Sequence, residues 1–143
     1  MTPTSPRPLA HLELHTANQA RASAFYGELL CWRSELIELA GRSYLGLDMG
    51  EDVGGGIVEC GTGRALWLPY VSVSQVAAST ERAEQLGAKV LLEPREGPAG
   101  WRSVIEAPDG GEVALWQWKP SRAWGDRREA PSSSAANPCS DGE

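Results

Sequence analysis

Hydrophobic and polar positions divide the chain into two similar halves. The second half is the clearer. WLPYVSV (67–73) is apolar and rich in strand-forming residues, and SQVAASTERAEQLG (74–87) then switches to a helical pattern. Val76, Ala83 and Leu86 share one side of that predicted helix, with Glu81, Arg82 and Glu84 outside. Ser74 is placed to cap its first turn, because a hydroxyl accepts an orphan backbone N–H. Gly87 stands where a left-handed C-cap is wanted. KVLLEP (89–94) reads as a strand that Pro94 stops. RSVIEA (102–107) and EVALWQW (112–118) are two more strands, and the Pro-Asp-Gly order between them is turn chemistry. The order is β-α-β-β-β.

The first half predicts the same order. HLELHT (11–16) is a strand and Asn18 an N-cap. Ala22, Phe25, Tyr26, Leu29 and Leu30 follow at the i, i+3, i+4, i+7, i+8 spacing of an amphipathic helix. SELIEL (34–39) and RSYLGLDM (42–49) are strands around an Ala40-Gly41 turn. EDVGG (51–55) reads as a glycine-rich connector and GIVEC (56–60) as a short fourth strand. Cys31 matches Gly87, an offset of roughly 56 residues, which is a module-sized period. The expected organisation is a loose arm over 1–8, one domain over 9–119 with modules 9–60 and 67–119, and a disordered tail over 120–143. That tail is rich in Pro, Ser, Ala and Gly and cannot bury enough apolar surface to offset its ordering entropy.

Composition narrows the function. A chain of 143 residues with 41% hydrophobic content builds one domain with a real core. A net charge of −6 argues against nucleic acid or an anionic membrane as partner. No apolar run approaches a membrane span, and the N-terminus has no hydrophobic signal core. The three cysteines, Cys31, Cys60 and Cys139, lack metal-type spacing, so reduced thiols and a cytoplasmic location are expected. The Gly54–Gly56 triplet is not a phosphate loop, since no Lys-Ser/Thr follows. Nothing marks a Ser-His-Asp triad.

LGA-x-V-L from Leu86, the PDG turn and the VALWQW strand resemble the second module of the vicinal-oxygen-chelate superfamily. That group includes glyoxalase I, bleomycin-resistance proteins and extradiol dioxygenases, and the likeness is to its short, two-module glyoxalase-like branch. The resemblance covers roughly residues 9 to 119. It implies an α+β fold in which two βαβββ modules form a curved mixed-sheet cup with a helix packed outside each. It also implies a homodimer, which the six tryptophans support.

Candidate chemistry lies on the first and last strands. His11, Glu13 and His15 alternate on one strand and share a face, while Leu12 and Leu14 face the helix layer. At about 3.3 Å per residue, His11 and His15 are roughly 13 Å apart along the strand and do not share one metal. The resemblance places four metal ligands on the first and last strands of the modules. His11 falls on the first position and Glu59 on the second, but Leu68 and Ala114 fall on the third and fourth, and neither can ligate. Glu112 shares the face of Ala114, displaced by a two-residue step. No metal and no cofactor is therefore expected. Trp116 and Trp118 share the parity of Ala114, and Tyr70 that of Leu68, giving an aromatic wall for a flat ligand. Plain core or dimer packing is the competing reading for these tryptophans, weighed evenly for Trp118. Trp67 has the opposite parity and should pack under a helix. Arg102 is expected to pair with Glu106, the alternative being a carboxylate on a ligand.

The expected function is metal-free binding of a small organic molecule. The protein either sequesters an aromatic or drug-like compound or does acid–base chemistry on it with His11, Glu13 and Glu59 as proton carriers. The expected ligand contacts are His11, Glu13, His15, Tyr70, Trp116 and Trp118. A metal-dependent lyase, isomerase or oxygenase with an atypical ligand set is the alternative.

Overall fold

The computed structural model describes residues 5–39, 42–50, 53–61 and 63–120. The Ala40-Gly41 turn, part of the 51–55 connector and all but the first residue of the expected tail lie outside them. In chain order the elements are β1 (Leu9–Thr16), α1 (Gln19–Leu30), β2 (Arg33–Leu39), β3 (Arg42–Asp48), β4 (Gly54–Glu59), β5 (Leu66–Ser72), α2 (Val76–Gln85), β6 (Lys89–Glu96), β7 (Gly100–Glu106) and β8 (Glu112–Trp118). The fold is α+β, two βαβββ modules in one curved, open sheet of order β2-β3-β4-β1-β5-β8-β7-β6. The two modules meet within one chain, where β1 and β5 pair antiparallel with His11 opposite Tyr70 and Glu13 opposite Leu68. Each of these strands also pairs in parallel with the last strand of its own module, β1 with β4 and β5 with β8.

Period-two alternation sorts the side chains. On the helix side Leu14, Leu47 and Ile57 are buried, with Ala22, Tyr26, Trp32 and Trp67 packed against them. Trp67 meets Tyr26 and Trp32 edge-on, under α1 as its parity predicts. On the concave side Leu68, Tyr70, Leu92, Val104, Ala114 and Trp116 form a second cluster.

Several local expectations change. Ser74 does not cap α2; Gln75 is the N-cap residue and makes no side-chain cap bond. The Val76 N–H donates instead to Gln117 Oε1 of β8, at 2.8 Å. A tertiary neighbour thus satisfies the orphan donor that local sequence was expected to satisfy. Pro94 does not stop β6. It is tolerated because β6 is an edge strand, with its pairing irregular between Leu92 and Arg95. Leu86 is exposed, so the apolar side of α2 rests on Val76, helped by Thr80. No residue of α1 is fully buried; Ala22 and Tyr26 touch the core, while Phe25, Leu29 and Leu30 stay exposed. Asn18 caps α1 as expected, accepting from the Arg21 N–H at 3.0 Å. Cys31 is a free, exposed thiol, whereas Cys60 is disulfide-bonded, which corrects the expectation of reduced thiols throughout.

Candidate functional site

β1 supplies the ionisable side chains. His11, Glu13 and His15 all project onto the concave face, and all are buried, Glu13 completely. The strand holds the histidine backbones apart, yet both rings turn toward the carboxylate between them. His15 Nε2 lies 2.6 Å from Glu13 Oε1, a short charge-assisted contact in which the ring nitrogen donates. His11 Nε2 lies 3.9 Å from Glu13 Oε2, too far for a hydrogen bond. Burial drives the pKa of His11 down to about 4, against the opposing pull of Glu13. The His11 ring is therefore neutral at pH 7, and its contact with Glu13 is not an ion pair there.

β5, β8 and β7 extend the cluster. The Tyr70 hydroxyl donates to Glu13 Oε1 at 3.3 Å and accepts from Arg102 Nη1 at 3.3 Å. Its ring meets His11 edge-on, centroids 5.4 Å apart. Trp116 sits opposite Arg102 in the β7–β8 pair. The indole is tilted against Tyr70 at 6.4 Å and edge-on to the half-buried Trp118 at 5.3 Å. Tyr70, Trp116 and Trp118 thus form one aromatic run beside the ionisable group. Trp118 packs on the edge of the apolar cluster, away from Glu13.

Five buried polar atoms on this face have no partner: His11 Nε2, Glu13 Oε2, Arg102 Nε, Arg102 Nη2 and Trp116 Nε1. A buried, unmade hydrogen bond costs about 1–3 kcal/mol, and more when the group is charged. Such concentrations of unmet polarity are rare in folded proteins, and each asks for an explanation.

β4 shapes the other flank. Gly54 lies opposite His11 and Gly56 opposite Glu13, so neither neighbour projects a side chain onto the concave face. A Cβ at Gly54 would sit 3.6 Å from His11 Nδ1, and one at Gly56 3.5 Å from the Tyr44 ring. Gly54, read from sequence as part of a connector, is a strand residue, and with Gly56 it leaves the β1 face clear.

One expected member falls elsewhere. Glu59 pairs with Thr16, one residue out of phase with His15, and so lies on the opposite face of the sheet. It is exposed and accepts the Gln19 N–H at 3.0 Å, at the start of α1. Glu59 is therefore not brought to the cluster. Arg102 does not pair with Glu106; it is buried and bonds Tyr70. Its parity with Val104 was the available signal, since that places Arg102 on the concave face. Glu112 is exposed at the start of β8, opposite Glu106.

The residues present do not fit the metal that the resemblance implies. Leu68 and Ala114, at two of the four ligand positions, are buried members of the apolar cluster and offer no donor atom. Among the described residues no group of three or more His, Cys, Asp or Glu side chains is arranged to hold a metal ion.

No family model matches the chain, and no curated protein matches it in sequence. Solved structures do match. A hypothetical protein from Bacillus halodurans superposes with a TM-score of 0.64 at 13% identity, over 83% of this chain and 99% of that one. Methylmalonyl-CoA epimerase from Mycobacterium tuberculosis gives 0.59 at 18% identity, over 84% and 94%. A variant of the Streptomyces coelicolor methylmalonyl-CoA epimerase, in complex with 2-nitronate-propionyl-CoA, gives 0.57 at 15% identity, over 83% and 99%. At these identities the likeness is one of fold.

Proposed function

The chain has the vicinal-oxygen-chelate fold, and from that premise we propose that its concave face binds a small organic molecule and moves a proton on it without a metal. Glu13 is the proton acceptor. The observation that carries this reading is the asymmetry of its carboxylate. Oε1 is held by His15 and Tyr70, while Oε2 is buried with no partner. A carboxylate fixed by one oxygen presents the other in a defined direction, as a general base must. The proton leaves the ligand for Oε2, and the electron pair stays on the ligand as an enolate or its equivalent. Neutral His11, with its own unpartnered Nε2, stands beside that oxygen. Tyr70 and Trp116 offer a flat ligand an aromatic flank. Several of the similar structures are epimerases of methylmalonyl-CoA, and a proton-transfer role here is chemically akin to epimerisation.

The test is deuterium uptake, followed by proton NMR in D2O. The panel is of enolisable carbon acids: 2-oxo acids, aryl ketones and malonate half-esters. The expected result is catalysed exchange on one class, reduced by about 10²–10⁴-fold in Glu13→Gln, with no dependence on chelators. Exchange that survives Glu13→Gln undiminished would sink the proposal.

A second reading is sequestration of an aromatic or drug-like compound, supported by the aromatic run of Tyr70, Trp116 and Trp118. It predicts tight binding with no exchange on any bound compound. The metal-dependent alternative has less support, because Leu68 and Ala114 supply no ligands.

A further inference from the structure

We infer that Arg102 is the anchor for a carboxylate on the ligand, so that the molecule taken by the concave face is a small organic acid. This rests on the reading that the concave face is a ligand site, and not on whether a proton is transferred there.

Arg102 is 1% exposed and lies on β7, opposite Trp116 on one side and Arg95 on the other. A guanidinium stays charged at any ordinary pH, so burial does not neutralise it. Buried arginines are normally matched by a carboxylate. Here no carboxylate of the described residues pairs with it. The protein contact of its head group is Nη1 on the Tyr70 hydroxyl, while Nε and Nη2 have none.

The identity of the unused atoms matters. Nε–H and Nη2–H point from the same edge of the planar guanidinium. Together they form the parallel pair of donors that receives both oxygens of a carboxylate. The protein has used the one nitrogen that does not belong to this edge. Trp116 Nε1, on the cross-strand neighbour, is a further unpartnered donor on the same face. Donors with no acceptor, grouped around a fixed positive charge, call for an oxyanion.

Carboxylate and phosphate share that chemistry, and the neighbourhood favours the former. Glu13 lies one hydroxyl away through Tyr70. A phosphate dianion beside it would meet stronger repulsion than a carboxylate monoanion. The same short link sets the ligand's size. Glu13 Oε1 and Arg102 Nη1 share the Tyr70 hydroxyl, so the two residues stand in one neighbourhood, which fits an acid small enough to reach from one to the other.

The experiment titrates the full chain by tryptophan fluorescence with phenylacetate, phenylpyruvate, phenylacetamide and inorganic phosphate. At least one of the two carboxylates should bind roughly tenfold or more tightly than the neutral amide and than phosphate. Arg102→Met should weaken that binding by at least about 30-fold. Arg102→Lys, which keeps the charge and loses the paired donors, should fall between. Without ligand, Arg102→Met should melt at or above the wild-type temperature, because it removes an unmatched buried charge. Glu13→Gln should still bind the carboxylate even where it no longer exchanges protons, which separates this inference from the proton-transfer reading. The proposal is overturned by equal binding of amide and carboxylate, by tighter binding of phosphate, by unchanged affinity in Arg102→Met, or by no saturable binding of either carboxylate at millimolar concentration.

Discussion

The two modules follow the same course and differ in what they place on it. The β1–β5 register sets His11 opposite Tyr70 and Glu13 opposite Leu68. The local twofold relation therefore matches His11 with Leu68 and Glu13 with Tyr70. Module one carries ionisable groups where module two carries carbon and a phenol. The helices diverge in the opposite sense. α2 buries Val76 and Thr80, bonds Ser103 through Thr80 Oγ1 at 2.7 Å, and takes Gln117 at its first N–H. α1 has no fully buried residue. The second module is the better-packed half, and the first contributes most of the ionisable groups of the site. The unmet polar atoms of the site are shared by both modules, on His11 and Glu13 in the first and on Arg102 and Trp116 in the second.

The largest test of that division is at Gly100, in β7. A Cβ there would run into the Gln117 carbonyl oxygen and come within 2.8 Å of Trp116 Cζ2. Backbone cannot yield as a side chain can, so Gly100→Ala should cost roughly 3 kcal/mol or more by urea unfolding. Gly46→Ala, in β3, would meet the end of the Ile37 side chain instead and should cost far less. Equal costs would remove the contrast between the halves.

Next in size is the pH response of module one. The folded pKa of His11 is about 4 against an ordinary 6.5. Between those values the unfolded chain binds the proton and the folded chain does not, so stability rises with pH across that window. It is fully present above pH 6.5 and is lost progressively as pH falls toward 4, by up to about 3 kcal/mol. His11→Asn should flatten this part of the pH–stability curve relative to wild type. A parallel curve would place the proton uptake on other groups.

The helices give a smaller contrast. Val76→Ala should cost roughly 2 kcal/mol, since Val76 is 1% exposed. Phe25→Ala, at a residue 57% exposed, should change stability by less than about 0.5 kcal/mol. A loss of more than about 2 kcal/mol at Phe25 would mean that α1 is covered in solution, as a homodimer through that face requires.

The smallest effect concerns the two helix ends. Cys31 and Gly87 both follow their helices in left-handed backbone, with φ of 59° and 101°. Only glycine does so without a steric cost. Cys31→Gly should therefore stabilise the protein by roughly 1 kcal/mol, read as a rise in urea midpoint. No gain would show that the Cys31 side chain offsets the strain through its own contacts.

Much of the plan was legible in the sequence. The period-two runs located all eight strands to within a few residues, and the parity of β1 placed His11, Glu13 and His15 together. The sequence does not fix the face of Glu59, because that face depends on the β1–β4 register and a shift of one residue reverses every side chain. The sequence offers Glu106 as a nearby partner for Arg102, whereas the fold brings Tyr70 to it from another strand. Ser74 lost its capping role to Gln117, some forty residues away in the chain.

What the sequence determined by itself is therefore what depends on short range. Alternation, helical spacing, and the need for Gly87 and Asn18 at helix ends are properties of a few consecutive residues, and they repeat at the module offset. The tertiary structure alone decided which charges meet. Strand pairing brought Tyr70 between Glu13 and Arg102, set glycines beside His11 and Glu13, and left one edge of a buried guanidinium without a partner. Those contacts join residues on different strands, and the Glu13–Tyr70 bond crosses the junction of the two modules. Their energies depend on burial and register, which exist only once the sheet has formed.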